Sequence, residues 1–268
     1  MADMKLSRLE WVDIAKGILI AMVVFGHIEP VGVENTTELG YDAIHFFRMW
    51  IVSFHMPAFF IISGMLRGMK ESNTSFDLIK IIKKQKKIWI YYLVFSVLFF
   101  IQWIVKVKSG QYEVDKLYEF AVNTITLTGV GVLWFIPAFA LSMGFFDLVL
   151  KGAKVCKFLY GIILSLSLVL AMLYDIPDAT VSNSILVKFL AVIGRALVGS
   201  SFMLIGGVLQ KTLVMQSRWA YMFIPISLLF FTNSVVDMHF LKFNNVILYY
   251  LLGCPVYCSQ KTTLKIPE

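Results

Sequence analysis

Charge is scarce in this chain. Asp, Glu, Lys and Arg make up 15% of its 268 residues, while 59% are hydrophobic. An average soluble domain is about 25% charged and 45–50% apolar, so a water-soluble globule is excluded. Cysteine is rarer still. Cys156, Cys254 and Cys258 are an odd set, so they cannot all pair internally and no disulfide framework is indicated. They read as membrane thiols. The phosphate-cradling P-loop, the dinucleotide glycine fingerprint, the HExxH helix and any Cys/His metal spacing are all missing. No metal is therefore expected. The net charge of +7 does not point to nucleic acid, because the cations concentrate in alternate loops, which is the mark of membrane orientation.

What the chain has in abundance is long apolar runs. They predict an all-α, polytopic integral membrane helix bundle forming a single domain over 1–268. About eight transmembrane helices can be read: 11–28, 46–66, 88–105, 126–149, 158–174, 186–209, 219–236 and 244–258. The first run follows Lys5 and Arg8, carries Asp13 and Lys16 and lacks a small-x-small cleavage site. It is thus expected to be retained rather than removed as a signal peptide.

The loops set an expected orientation. Lys5 and Arg8 precede the first helix, and Glu29, Glu34, Glu38 and Asp42 follow it. Arg67, Lys70 and the lysines from Lys80 to Lys87 follow the second; Lys151, Lys154 and Lys157 follow the fourth. The positive-inside rule then places both termini in the cytoplasm and the acidic first loop outside.

Polar residues inside the apolar runs are the candidates for function, since an ionisable group in hydrocarbon costs about 2.5–3.5 kcal/mol on insertion scales. Arg8–His27 reads RLEWVDIAKGILIAMVVFGH. Lys16 and His27 are about three turns apart, on one helix face and roughly 16 Å from each other. Asp13 lies one turn from Lys16, within reach of it. The bland reading is an Asp13–Lys16 pair near the inner interface with a snorkelling Lys16. The second stretch, Ser53–Lys70, adds His55, then Pro57, then Arg67 and Lys70. A neutral histidine suits activation of a hydroxyl, and two cations at the cytoplasmic mouth suit a phosphate-rich donor. A packed histidine and two topology markers are the plain alternatives. The run KIIKKQKK, from Lys80 to Lys87, suits anionic lipid headgroups or a share in an anionic cofactor. Trp134 stands at a helix entrance, where aromatics usually anchor the interface. Arg195 falls mid-span and is expected to face the bundle or a cavity.

These residues resemble a known family. KGILIAMVVFGH, with Lys16 and His27 separated by ten residues, is similar to the Arg/Lys-x10-His motif of the membrane acyltransferase-3 family. FHMPAFFIISG (Phe54–Gly64) resembles the second-helix signature of its fucose 4-O-acetylase-like branch. Arg67-Gly-Met-Lys70 resembles the family's Arg-x-x-Arg motif with Lys in the last place. LWFIPA and RALVGSSFMLIGGVLQK are similar to later helices.

The resemblance implies an O-acetyltransferase of the cell membrane. Acetyl-CoA would be the cytoplasmic co-substrate, and a hydroxyl of an extracytoplasmic glycan or lipid-linked sugar the acceptor. It assigns catalysis to His27 and the donor side to Arg67 and Lys70. On an acyltransferase reading of the residues, His55 would assist His27, Lys16 with Asp13 would steer the donor, and Trp134 and Arg195 would give substrate or structural support. The family's closing helices are not recognisable, so a shortened domain is expected. A glycan or small-anion transporter, and an inactive truncated relative, are the alternative readings.

Overall fold

The computed structural model describes residues 10–27, 38–69, 78–153, 184–209 and 238. All regular structure among them is helical: α1 (Glu10–His27), α2 (Glu38–Met69), α3 (Leu78–Lys108), α4 (Asp115–Ile125), a 3-10 turn (Gly131–Trp134), α5 (Phe135–Ala153) and α6 (Ile185–Leu209). Four segments are long and apolar enough to cross a membrane: Ile44–Gly68, Gln85–Lys108, Gly131–Val149 and Ile185–Val208. α1 is only 18 residues long and carries Glu10, Asp13 and Lys16 among them. The expected spans at 158–174, 219–236 and 244–258, and all three cysteines, lie outside the described residues.

The chain divides into two units. The first holds α1, α2 and the last turns of α6, from Leu204. α1 turns a narrow seam of Val12, Ala15, Leu19 and Gly26 inwards. The 3- and 4-residue steps of that seam are the spacing of one helix face. The seam packs on α2, and small residues bring the backbones close. A Cβ on Gly26 would sit 3.3 Å from Val52 Cγ2. The contact is locked by Arg48, whose Nε donates to the Gly26 carbonyl at 2.9 Å. α2 continues through Pro57, which has no N–H to give the carbonyl four residues back, that of Ser53. Gly206 of α6 lies against α2 so closely that a Cβ would overlap the Ile61 carbonyl.

The second unit holds α3, α4, the 3-10 turn, α5 and α6 up to Met203. Of the span expected at 126–149, Gly131–Val149 is present as one apolar segment, and the residues before it leave the helix. α4 runs back along α3: Tyr112 and Phe120 lie 5.1 and 5.4 Å from the Trp103 ring, and the Tyr92 hydroxyl donates to the Thr124 carbonyl at 2.8 Å. Thr124 is therefore beside a residue about 24 Å along α3 from its Lys108 end. There the chain leaves the helix. Leu127, Gly129 and Gly131 take positive φ of 61°, 71° and 54°. After the 3-10 turn, α5 continues in the same direction, with Ile136 packed on the Tyr92–Phe120–Leu133 cluster and Gly144 reaching Gln85 of α3. α4 and α5 thus follow one another along α3, joined by an irregular stretch, and Gly131–Val149 is by itself long and apolar enough to cross. Irregular backbone at such a depth is tolerated where protein buries it, and Thr128, Leu133 and Trp134 are all buried.

Candidate active site

His55 sits in the middle of α2, in a run from Ser53 to Ala58 that is buried throughout. Six consecutive residues go all the way round a helix, so α2 is enclosed on every side at this level. Its Nδ1 lies 2.8 Å from the Ile51 carbonyl. A carbonyl only accepts, so Nδ1 carries the proton and Nε2 of the neutral ring keeps its lone pair. That Nε2 is buried and meets no hydrogen-bond partner among the described residues. A buried polar atom without a partner costs about 1–3 kcal/mol and marks a position held for something other than packing.

His27 closes α1. Its Nδ1 lies 2.7 Å from the Val23 carbonyl, so it takes the same tautomer and also leaves Nε2 as the acceptor. Unlike His55 it is exposed. Both are thus held in one orientation by their own helix, one ring inside the unit and one at its surface.

On α1, Lys16 and His27 lie about 20° apart around the axis, flanking the α2 seam. Lys16 is half-buried and Asp13 exposed. Arg67 is half-buried in the last turn of α2, twelve residues and about 18 Å from His55. Lys70 lies outside the described residues.

Trp134 and Arg195 belong to the second unit. Trp134 is not an interface anchor. It is buried, at the end of the 3-10 turn that leads into α5. The Arg195 guanidinium stacks over its ring at 5.5 Å, and Nη1 donates to the Thr128 carbonyl at 2.8 Å. Arg195 is only 2% exposed. Two turns earlier on the same face of α6, Lys188 donates its Nζ to Asn123 Oδ1. Both cations therefore converge on the carboxyl end of α4, where the helix dipole presents partial negative charge.

The family profile of the acyltransferase domain, acyltransferase 3, matches residues 9–259. The chain belongs to the acyltransferase-3 family. No curated protein and no solved structure matches it. Membership makes the protein a membrane acyltransferase, and the match runs from α1 past the end of α6.

Seen in this acyltransferase, the candidate residues form two groups. His27, His55, Lys16, Asp13 and Arg67 lie in the first unit; Trp134 and Arg195 lie together in the second. The sequence reading missed two residues. Arg48 holds the carbonyl next to His27, but it sits inside an apolar span, where it passed as a helix residue rather than as a charge to be explained. Lys188 was absorbed into the start of the span at 186–209. In both cases the signal was the same as for Arg195, a lone cation within an apolar run.

Proposed function

We propose that this acyltransferase moves an acetyl group from cytoplasmic acetyl-CoA to a hydroxyl of an extracytoplasmic glycan or lipid-linked sugar. The observation that carries the reading is the pair of oriented imidazoles, His27 and His55, whose Nδ1–H groups are spent on their own helices and whose Nε2 atoms keep the lone pair. His27 acts as general base. Its Nε2 takes the proton of the acceptor hydroxyl, the oxygen attacks the thioester carbonyl, and the carbon–sulfur bond breaks. The proton then passes to the departing thiolate, which leaves as the thiol of CoA. Where donor and acceptor do not meet directly, His27 Nε2 attacks the thioester carbonyl, the carbon–sulfur bond breaks and CoA leaves as the thiolate. The acceptor hydroxyl then attacks the acetyl carbon, the carbon–nitrogen bond breaks to free the imidazole, and the hydroxyl proton is lost to solvent as the thiolate takes one up.

His55 orients and assists from the buried side. Lys16, with Asp13, steers the donor, and Arg67 and Lys70 hold its phosphates. Lys70 offers a point charge where a guanidinium would grip two oxygens at once. The charge asymmetry of the loops supports cytoplasmic termini and a donor entering from the cytoplasm. Trp134 and Arg195 serve as structural support for the irregular stretch between α4 and α5.

The test is alkali-labile label in the glycan and lipid fractions of membranes given radiolabelled acetyl-CoA. Label that appears only when the chain is present is the expected result. Equal label in membranes without it overturns the reading. A second reading is a glycan or small-anion transporter, since irregular backbone such as that between α4 and α5 is also found beside transport sites. Movement of unacetylated glycan across vesicles containing the protein would separate the two.

A further inference from the structure

The basic run at the start of α3 has a definite direction. Lys83, Lys86 and Lys87 are exposed and fall within about 100° of one another around the helix axis. Ile79 and Ile82, each 64% exposed, share that side. So do Ile90, Leu93, Val94 and Val97, the outward residues of the span Gln85–Lys108. The opposite side carries Gln85, Tyr92 and Ser96, all buried. One stripe therefore runs along α3, apolar through the span and cationic at its end, and it points away from the packed interior.

The lengths agree with a bilayer. From Lys87 to Lys106, the first lysine at the far end of the span, is about 28 Å of helix, close to the roughly 30 Å of hydrocarbon in a typical membrane. Lys83 to Lys87 covers about 6 Å, the depth of one headgroup layer. The lysines thus leave the apolar stripe at the level where phosphates begin.

We infer that Lys83, Lys86 and Lys87 form a binding site for the phosphates of anionic phospholipids in the leaflet at the amino-terminal end of α3. A soluble phosphate donor entering the bundle would need cations on the inward side; among the described side chains of this run, Gln85 faces inward and the cations face outward. The outward band is continuous with the lipid-facing surface and complementary in charge to acidic headgroups. The site is independent of catalysis, because lipid association is read without turnover.

The experiment uses the full chain in bilayers and compares spin-labelled phosphatidylglycerol with spin-labelled phosphatidylcholine by electron paramagnetic resonance. The expected preference for the anionic lipid is about threefold or more, falling towards one in high salt and in Lys83→Gln/Lys86→Gln/Lys87→Gln. The matching triple arginine variant keeps the preference, which separates lost charge from lost fold. No preference in the unaltered chain overturns the site, as does a preference unchanged by the glutamine variant. Displacement of the lipid by millimolar CoA would make it a soluble-phosphate site and also overturn the inference.

Discussion

His55 is defined by what each ring nitrogen does. Nδ1 is committed to the Ile51 carbonyl, and Nε2 is buried without a partner among the described residues. Asparagine offers a donor near Nδ1 and nothing near Nε2. His55→Asn should keep the helix bond and remove the base. Transfer is expected to fall by about 10²- to 10⁴-fold, the usual contribution of a positioned acid–base group, with insertion into the membrane unchanged. Activity within a few-fold of the unaltered protein would make His55 a packing residue. Arg48 acts one step back. Its bond to Gly26 fixes the carbonyl that precedes His27. Arg48→Met should lower kcat about tenfold with little change in KM, because misorientation costs the reaction more than binding. A rise in KM alone would point to a direct contact with substrate instead.

The histidines were legible as candidates because each interrupts an apolar run. Their tautomers were not, because those depend on carbonyls four residues away and on the helix being regular there. The burial of Arg195 follows from its place in a span. Trp134 and Thr128, which it contacts, lie more than sixty residues back in the chain and have no local signature.

At the scale of the element, the irregular stretch between α4 and α5 is the feature most open to test. Gly129 has φ of +71°, and a Cβ there would overlap the Trp134 backbone. Gly110 has φ of +75° in open space. Both alanine variants carry the left-handed penalty, of about 1–2 kcal/mol. Only Gly129→Ala also forces the 3-10 turn to move, so it should lose clearly more thermal stability than Gly110→Ala. Equal losses would mean that the break is slack. Arg195→Lys should fail to restore what Arg195→Met loses, since an ammonium cannot stack on Trp134 and reach the Thr128 carbonyl with the same planar group.

The boundaries of α6 were readable almost to the residue, because Ile185–Leu209 is one apolar run. The break between α4 and α5 was not. TLTGVGVLWF, from Thr126, contains no charge and no proline, and glycine and threonine are common within membrane helices. Leu127 gives no warning of positive φ, because an unbranched Cβ favours the helix. α4 itself was hidden in a stretch of mixed charge, although its Phe120 and Asn123 share the buried face. Crossings two and three came out longer than their apolar cores, since polar turns such as Glu38–Asp42 continue the helices beyond the hydrocarbon.

For the molecule as a whole, the loop charges make an orientation that labelling can check. With the natural cysteines replaced, Ser109→Cys, at the end of α3, should react with an impermeant maleimide in intact cells. Lys83→Cys, at the other end, should react only after permeabilisation. The reverse pattern would invert the protein and put Arg67 on the wrong side for a cytoplasmic donor.

Family membership establishes an acyltransferase, and the oriented histidines suggest how one could work. The central claim is that transfer depends on His27. It is tested most directly by following radiolabel from acetyl-CoA into the glycan and lipid fractions of membranes that hold equal amounts of the unaltered protein or His27→Ala. The account predicts label with the first and only background with the second. Label undiminished in His27→Ala would contradict it.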